Sequence, residues 1–114
     1  MLQSSCGVMD ASDVLEQMIE TVRDATSPER IFCRHNLLLI VLSSQCTIPF
    51  TEIKLHIEAS PVAHRFVYCL CIAADLERHL SQGHLFYSTL CIRQYLVYDS
   101  GTSSLPLPLN ERMQ

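Results

Sequence analysis

The sequence predicts an all-α fold, a small antiparallel bundle of four or five helices. Three observations carry that expectation. Apolar residues recur every three to four positions over most of residues 10–98. Ser27-Pro28 and Ser60-Pro61 stand where helices start, and Gly83 stands where one ends. With only three glycines in 114 residues, the chain lacks the turn chemistry of an all-β design.

Residues 1–9 read as a flexible leader. From Asp10 onward, Val14, Leu15, Met18, Ile19, Val22 and Ala25 follow an i, i+3/i+4 stripe with acids between them. That pattern predicts an amphipathic helix over 11–25, capped by Asp10 or Ser12, its early acids facing the positive end of the helix dipole. Ser27-Pro28-Glu29 then starts a second helix, Pro28 to about Gln45. Ile31, Phe32, Leu38, Leu39 and Leu42 form its stripe, and Leu37, Ile40 and Val41 make its second half apolar all round. A helix of that kind runs through a core. Leu37–Leu42 alone fits a buried strand as well, but the proline start and the total length weigh for a helix.

Over 51–59 the two periods compete. Ile53, Leu55 and Ile57 alternate with polar residues as in a strand, whereas Phe50, Ile53 and Ile57 fit a short helix. Helical neighbours and the lack of a hairpin turn signal favour the helix. Ser60-Pro61 opens the next helix, reaching Ser81 on a stripe that includes Val62, Phe66, Leu70, Ala73 and Leu80, with Gly83 as its left-handed cap. A last helix is expected over 84–98, paired with the preceding one across Gln82-Gly83, although Tyr95, Val97 and Tyr98 lean toward strand. The alternative is an α+β fold with a short antiparallel sheet drawn from 51–98. The domain organisation is therefore a leader (1–9), one helical domain (10–98) and a flexible Ser/Pro/Leu tail (99–114), whose prolines at 106 and 108 suit polyproline II.

Composition excludes several classes. At 48% apolar and a net charge of −4 the chain is no disordered or collagen-like segment, and its longest apolar runs, Leu37–Leu42 and Val67–Ala74, are too short to span a membrane. Met1–Gly7 has neither the basic nor the apolar region of a secretory signal. Of six cysteines, Cys33, Cys69, Cys71 and Cys91 lie in apolar segments, where a free thiol behaves as a small hydrophobe. The expected setting is therefore reducing and intracellular, cytoplasmic or nuclear. Residues 1–29 carry a net −5 and residues 30–98 a net +2, an asymmetry read as an acidic solvated face on the first helix.

Chemistry is hard to find in this pattern. Zinc sites use two close-spaced pairs of Cys or His, and neither CxxC nor HxxxH occurs; His79, His84 and Cys91, straddling Gly83, are the weak metal candidates. Cys71, Asp75 and His79 are spaced i, i+4, i+8. On one helix the thiol and imidazole would sit about 12 Å apart with the carboxylate between them, the wrong order for a nucleophile, base and orienting group. Phosphate loops fail for want of glycine. Residues 50–81 have the outline of a helix-turn-helix, with Lys54, His64, Arg65 and Arg78 as phosphate contacts, but a pI near 5.6 leaves little electrostatic attraction for nucleic acid. His35, His56 and His64 are expected half-buried, and the four tyrosines are expected at the core edge with their hydroxyls toward water.

The most specific short motif lies in the tail: Asp99-Ser100-Gly101-Thr102-Ser103-Ser104. It resembles the DSGxxS phosphodegron read by the beta-TrCP F-box family of ubiquitin ligases. The resemblance implies phosphate on Ser100 and Ser104, held by basic side chains of the receptor, with Asp99 and Gly101 completing the motif. Thr102 stands where such motifs often carry an apolar residue. The functional expectation is an intracellular, non-catalytic protein–protein interaction or adaptor module without cofactor, possessing a phosphorylatable tail. Its partners would be another protein, a second copy in a homodimer, or an F-box ligase through the tail. The alternative is a small nucleic-acid-binding or zinc-binding regulatory protein. Abundant Leu, Ile, Val and Cys on so small a chain point to apolar surface that a partner covers.

Overall fold

The computed structural model describes residues 11–102 and shows four α-helices built around a four-stranded sheet, an α+β fold in place of the expected all-α helical bundle. The chain runs α1 (Ala11–Ala25), β1 (Pro28–Arg34), β2 (Leu37–Leu42), α2 (Phe50–Glu58), β3 (Val67–Ile72), α3 (Ala73–Ser81), α4 (Leu85–Leu90) and β4 (Leu96–Asp99). Short 3-10 turns at Ala63–Arg65 and Arg93–Tyr95 precede β3 and β4. The sheet is mixed, in the order β3-β2-β1-β4: β1 is antiparallel to both β2 and β4, and β2 is parallel to β3.

Two helices form as the periodicity predicts. α1 buries Val14, Met18, Val22 and Ala25, spaced close to one per turn, on the sheet. Asp10, one of its two expected caps, lies outside the described residues, and Ser12 falls within the helix. α2 follows the helical period over the alternating one, with Ile53 and Ile57 fully buried and Leu55 turned to solvent. Both helices pack on one face of the sheet against Ile31, Leu38, Ile40 and Leu42. On the other face α3 and α4 bring Leu76 and Leu90 onto Phe32, Leu39, Val41 and Cys71. The sheet is thus the middle of three layers, and β2 is apolar on both sides for that reason.

The expected helix at 28–45 is the hairpin β1–β2. A run that is apolar all round satisfies a central strand as well as a core helix, and sheet pairing decided between them. Pro28 has no N–H to lose at the start of a strand, so the proline that can open a helix also opens β1. The reversal is the two-residue turn His35-Asn36, between paired Arg34 and Leu37, with His35 at φ +58. The expected helix at 60–81 holds only from Ala73. Val67–Ile72 instead pairs residue for residue with Leu37–Leu42, and the switch comes where helix formers (Ala-Ala-Asp-Leu-Glu-Arg) replace Val, Tyr, Cys and Ile. The expected helix at 84–98 stops at Leu90, and its strand-leaning end becomes β4. Gly83, at φ +72, does end α3 as expected. The α+β alternative named the right class, but its sheet was to be antiparallel and drawn from 51–98. Half of the strands precede residue 51, and 51–58 is helical.

Candidate functional site

The tail motif begins inside the fold. β4 adds to β1 so that Asp99 lies opposite Arg30, and their side chains form an ion pair of 3.6 Å between Asp99 Oδ2 and Arg30 Nε. Arg30 is 9% exposed, and its Nε has no hydrogen-bond partner among the described residues. A largely buried guanidinium whose Nε has no hydrogen bond depends on its counter-ion. Asp99 Oδ1 also accepts the Gly101 N–H at 2.9 Å, closing a tight turn that Gly101 completes at φ +83. The Ser100 N–H donates to the Glu29 carbonyl at 2.9 Å. Glu29 lies where the β1–β2 register shifts, between Pro28 and Arg30, and opposite Ser100 in the β1–β4 pairing. The Ser100 hydroxyl lies 2.7 Å from that of Thr102 and faces a cleft of about 500 Å³ that Arg23, Ser27, Glu29, Ser43 and Tyr98 help to line. The Arg23 guanidinium lies over the Tyr98 ring at 5.0 Å. Asp99, Ser100 and Gly101 are thereby brought together on an exposed corner. Ser104, the second serine of the motif, lies outside the described residues, as do the leader and the Pro/Leu part of the tail.

The metal candidates separate. The Gly83 turn brings His79 and His84 together, ring centroids 5.3 Å apart, but both pack on Tyr87, with His79 stacked on it at 4.7 Å. Cys91 is buried in the core beside Cys71, and burial with that neighbouring thiol pushes its pKa up to about 12. Among the described residues no group of three Cys, His, Asp or Glu side chains is placed to hold a metal ion. Cys71, Asp75 and His79 do not share a helix either: Cys71 ends in β3 and the other two belong to α3. Burial, then Asp75 and Cys69, raises the Cys71 thiol to about 11, so it is protonated and inert at neutral pH. The helix-turn-helix outline also fails, because β3 stands where its second helix was expected. His35, His56 and His64 are exposed, a further correction, since the turn, the outer face of α2 and the 3-10 turn carry them outward. The tyrosines do sit at the core edge, and Tyr68 donates to Glu58 Oε2 at 2.9 Å.

Large apolar side chains remain outside the three layers. Leu55 on α2 is 71% exposed, Leu85 on α4 is 67% exposed and Val67 on β3 is 59% exposed. Leu55 lies off the Phe50, Ile53 and Ile57 stripe of the expected helix, so its exposure was legible in the sequence, whereas Val67 was hidden by the helix assigned to 60–81. No helix among the described residues is long and apolar enough to cross a membrane. No protein-family model, curated protein or solved structure matches the chain.

Proposed function

We propose that this chain is a non-catalytic protein–protein interaction module whose C-terminal segment is a phosphorylation-dependent ligand. The observation that supports it is the placement of Leu55, Val67 and Leu85. Both faces of the sheet are already covered by helices, so these residues are not needed to close the core. Exposed side chains of that size lose about 1.5–3 kcal/mol each of available burial while they face water, which a partner surface would recover. The test is recovery of bound proteins by wild type and by Leu55→Asp, Val67→Asp and Leu85→Asp variants. Loss of a specific partner without loss of folding supports the proposal; identical recovery by all four chains refutes it.

The tail belongs to the same reading. Asp99 and Ser100 are solvent-exposed at the end of β4, accessible to a kinase, and phosphate on Ser100 would sit beside Asp99 and Glu29. Arg23 lines the same cleft, so phosphate there sits between acids and a cation, and binding to a receptor requires the segment to leave the Glu29 carbonyl. A peptide spanning residues 97–106 and phosphorylated on Ser100 and Ser104 should bind the beta-TrCP receptor, and its Ser100→Ala form should not. Equal binding by both would dismiss the tail's role.

A further inference from the structure

The two outer strands of the sheet are treated very differently. β4 is a short edge: four residues, a register irregularity against β1, and a charged Asp99 at its end. These are the usual defences of a strand that must not pair with another chain. β3 has none of them. Val67–Ile72 is six residues long, holds unbroken register with β2, and contains no charge, proline, glycine or bulge. The Val67 N–H donates to the Asn36 carbonyl at 2.9 Å, so residues 67, 69 and 71 point their backbone groups at β2. The N–H and C=O groups of Tyr68 and Leu70 therefore point outward, and among the described residues no strand pairs with them.

The geometry points to a second copy of this chain as the occupant of that edge, joined β3 to β3 in antiparallel register centred on Leu70, to give one continuous sheet across two molecules. This deepens the interaction-module proposal and rests on it. A two-fold axis closes an antiparallel pair of identical strands, whereas pairing β3 of one copy with β4 of the next would leave an edge open to a further copy. Register follows from the pleat. Opposed residues in an antiparallel pair share a face, so Leu70 meets Leu70 of the other copy and Tyr68 meets Ile72 on the side of α1 and α2, while Cys69 meets Cys71 on the side of α3 and α4. In that register the outward backbone groups of Tyr68 and Leu70 find partners, and every opposed pair is apolar or thiol. The ends agree in charge as well. Arg65 precedes β3, and Asp75, Glu77 and Arg78 follow it, so the antiparallel arrangement lays Arg65 along a segment of net negative charge. Arg78 already pairs with Asp75 at 3.0 Å, which leaves Glu77 as the acid available to Arg65.

Light scattering and sedimentation of the full chain should give a dimer mass at micromolar concentration. Leu70→Pro removes an outward N–H and no bond to β2, so it should keep its helical circular dichroism and raise the dimer dissociation constant roughly tenfold or more. Amide exchange of wild type provides the second measurement, and it decides the matter should Leu70→Pro fail to fold: Tyr68 and Leu70 should be protected in concentrated solution and open on dilution. A monomer at every concentration overturns the inference, as does a dimer that survives Leu70→Pro or one whose Tyr68 and Leu70 amides exchange at an unchanged rate. So does a monomer whose protection vanishes when the chain is ended at residue 102, because its own tail would then occupy the edge. A monomer that still loses a partner on Leu55→Asp would overturn the strand pairing and leave the interaction module standing.

Discussion

Removing Asp99 should destabilise the fold through a residue it never buries. The Asp99 carboxylate lies 3.6 Å from Arg30 Nε, whose side chain is 11% exposed against 36% for Asp99. Breaking a fully buried pair by deleting one partner costs about 3–5 kcal/mol, because the other charge is left desolvated. Here water reaches the carboxylate side and screens the pair, so Asp99→Ala should cost about 1–2 kcal/mol, a fall in melting midpoint of roughly 5–10 °C. Arg30→Met removes the buried charge itself and keeps the apolar stem in contact with its neighbours, so it should cost far less, roughly 0–1 kcal/mol. In the Arg30→Met background, Asp99→Ala should then cost only what the lost Gly101 N–H bond is worth, about 0.5–1 kcal/mol. Urea unfolding followed by circular dichroism on the four chains of this cycle measures the coupling directly. The reasoning is refuted if Asp99→Ala is neutral, or if Arg30→Met costs as much as Asp99→Ala does. A loss in the single mutant would also tie the tail motif to the core: whatever pulls Asp99 into a receptor must break this contact.

Four further outcomes follow from burial and backbone geometry. Burial holds the Cys71 and Cys91 thiols protonated to about pH 11 and 12, against 9.0 for a free thiol. The native state therefore binds more protons than the unfolded one above about pH 9, and stability should fall as pH rises from there, less steeply in a Cys91→Ala chain. At pH 8 a thiol reagent should label Cys33, Cys46 and Cys69 before Cys71 and Cys91, which should react only on unfolding, as peptide mapping will show. Gly83, at φ +72 with open space around its Cα, should lose about 1–2 kcal/mol as Gly83→Ala, whereas His35→Gly should be neutral or stabilising because His35 already sits at φ +58. Met18, with no exposed surface beneath α1, should cost about 2–5 kcal/mol as Met18→Ala, in the same urea assay.

The local pattern by itself determined α1, the turn at Gly83 and the apolar character of every core segment, and it left α2 open between two periods. In α1 the acids between Val14, Met18 and Val22 leave a single amphipathic solution, and in α2 Ile53 and Ile57 lie one turn apart. A helix is closed by bonds between residues four apart, so its evidence lies within the segment itself. The strands were decided elsewhere. Nothing inside Leu37–Leu42 distinguishes a core helix from a central strand, since both are apolar on all sides. The choice was made by Val67–Ile72 and by the residues of β1, which supply the hydrogen-bond partners from distant parts of the chain. Arg30 meeting Asp99, the engagement of Ser100 at Glu29, and the unguarded edge of β3 are consequences of the same sheet. Pairing between segments far apart in sequence is recorded in neither one alone, and that is why only the assembled tertiary structure reveals where this protein can be touched.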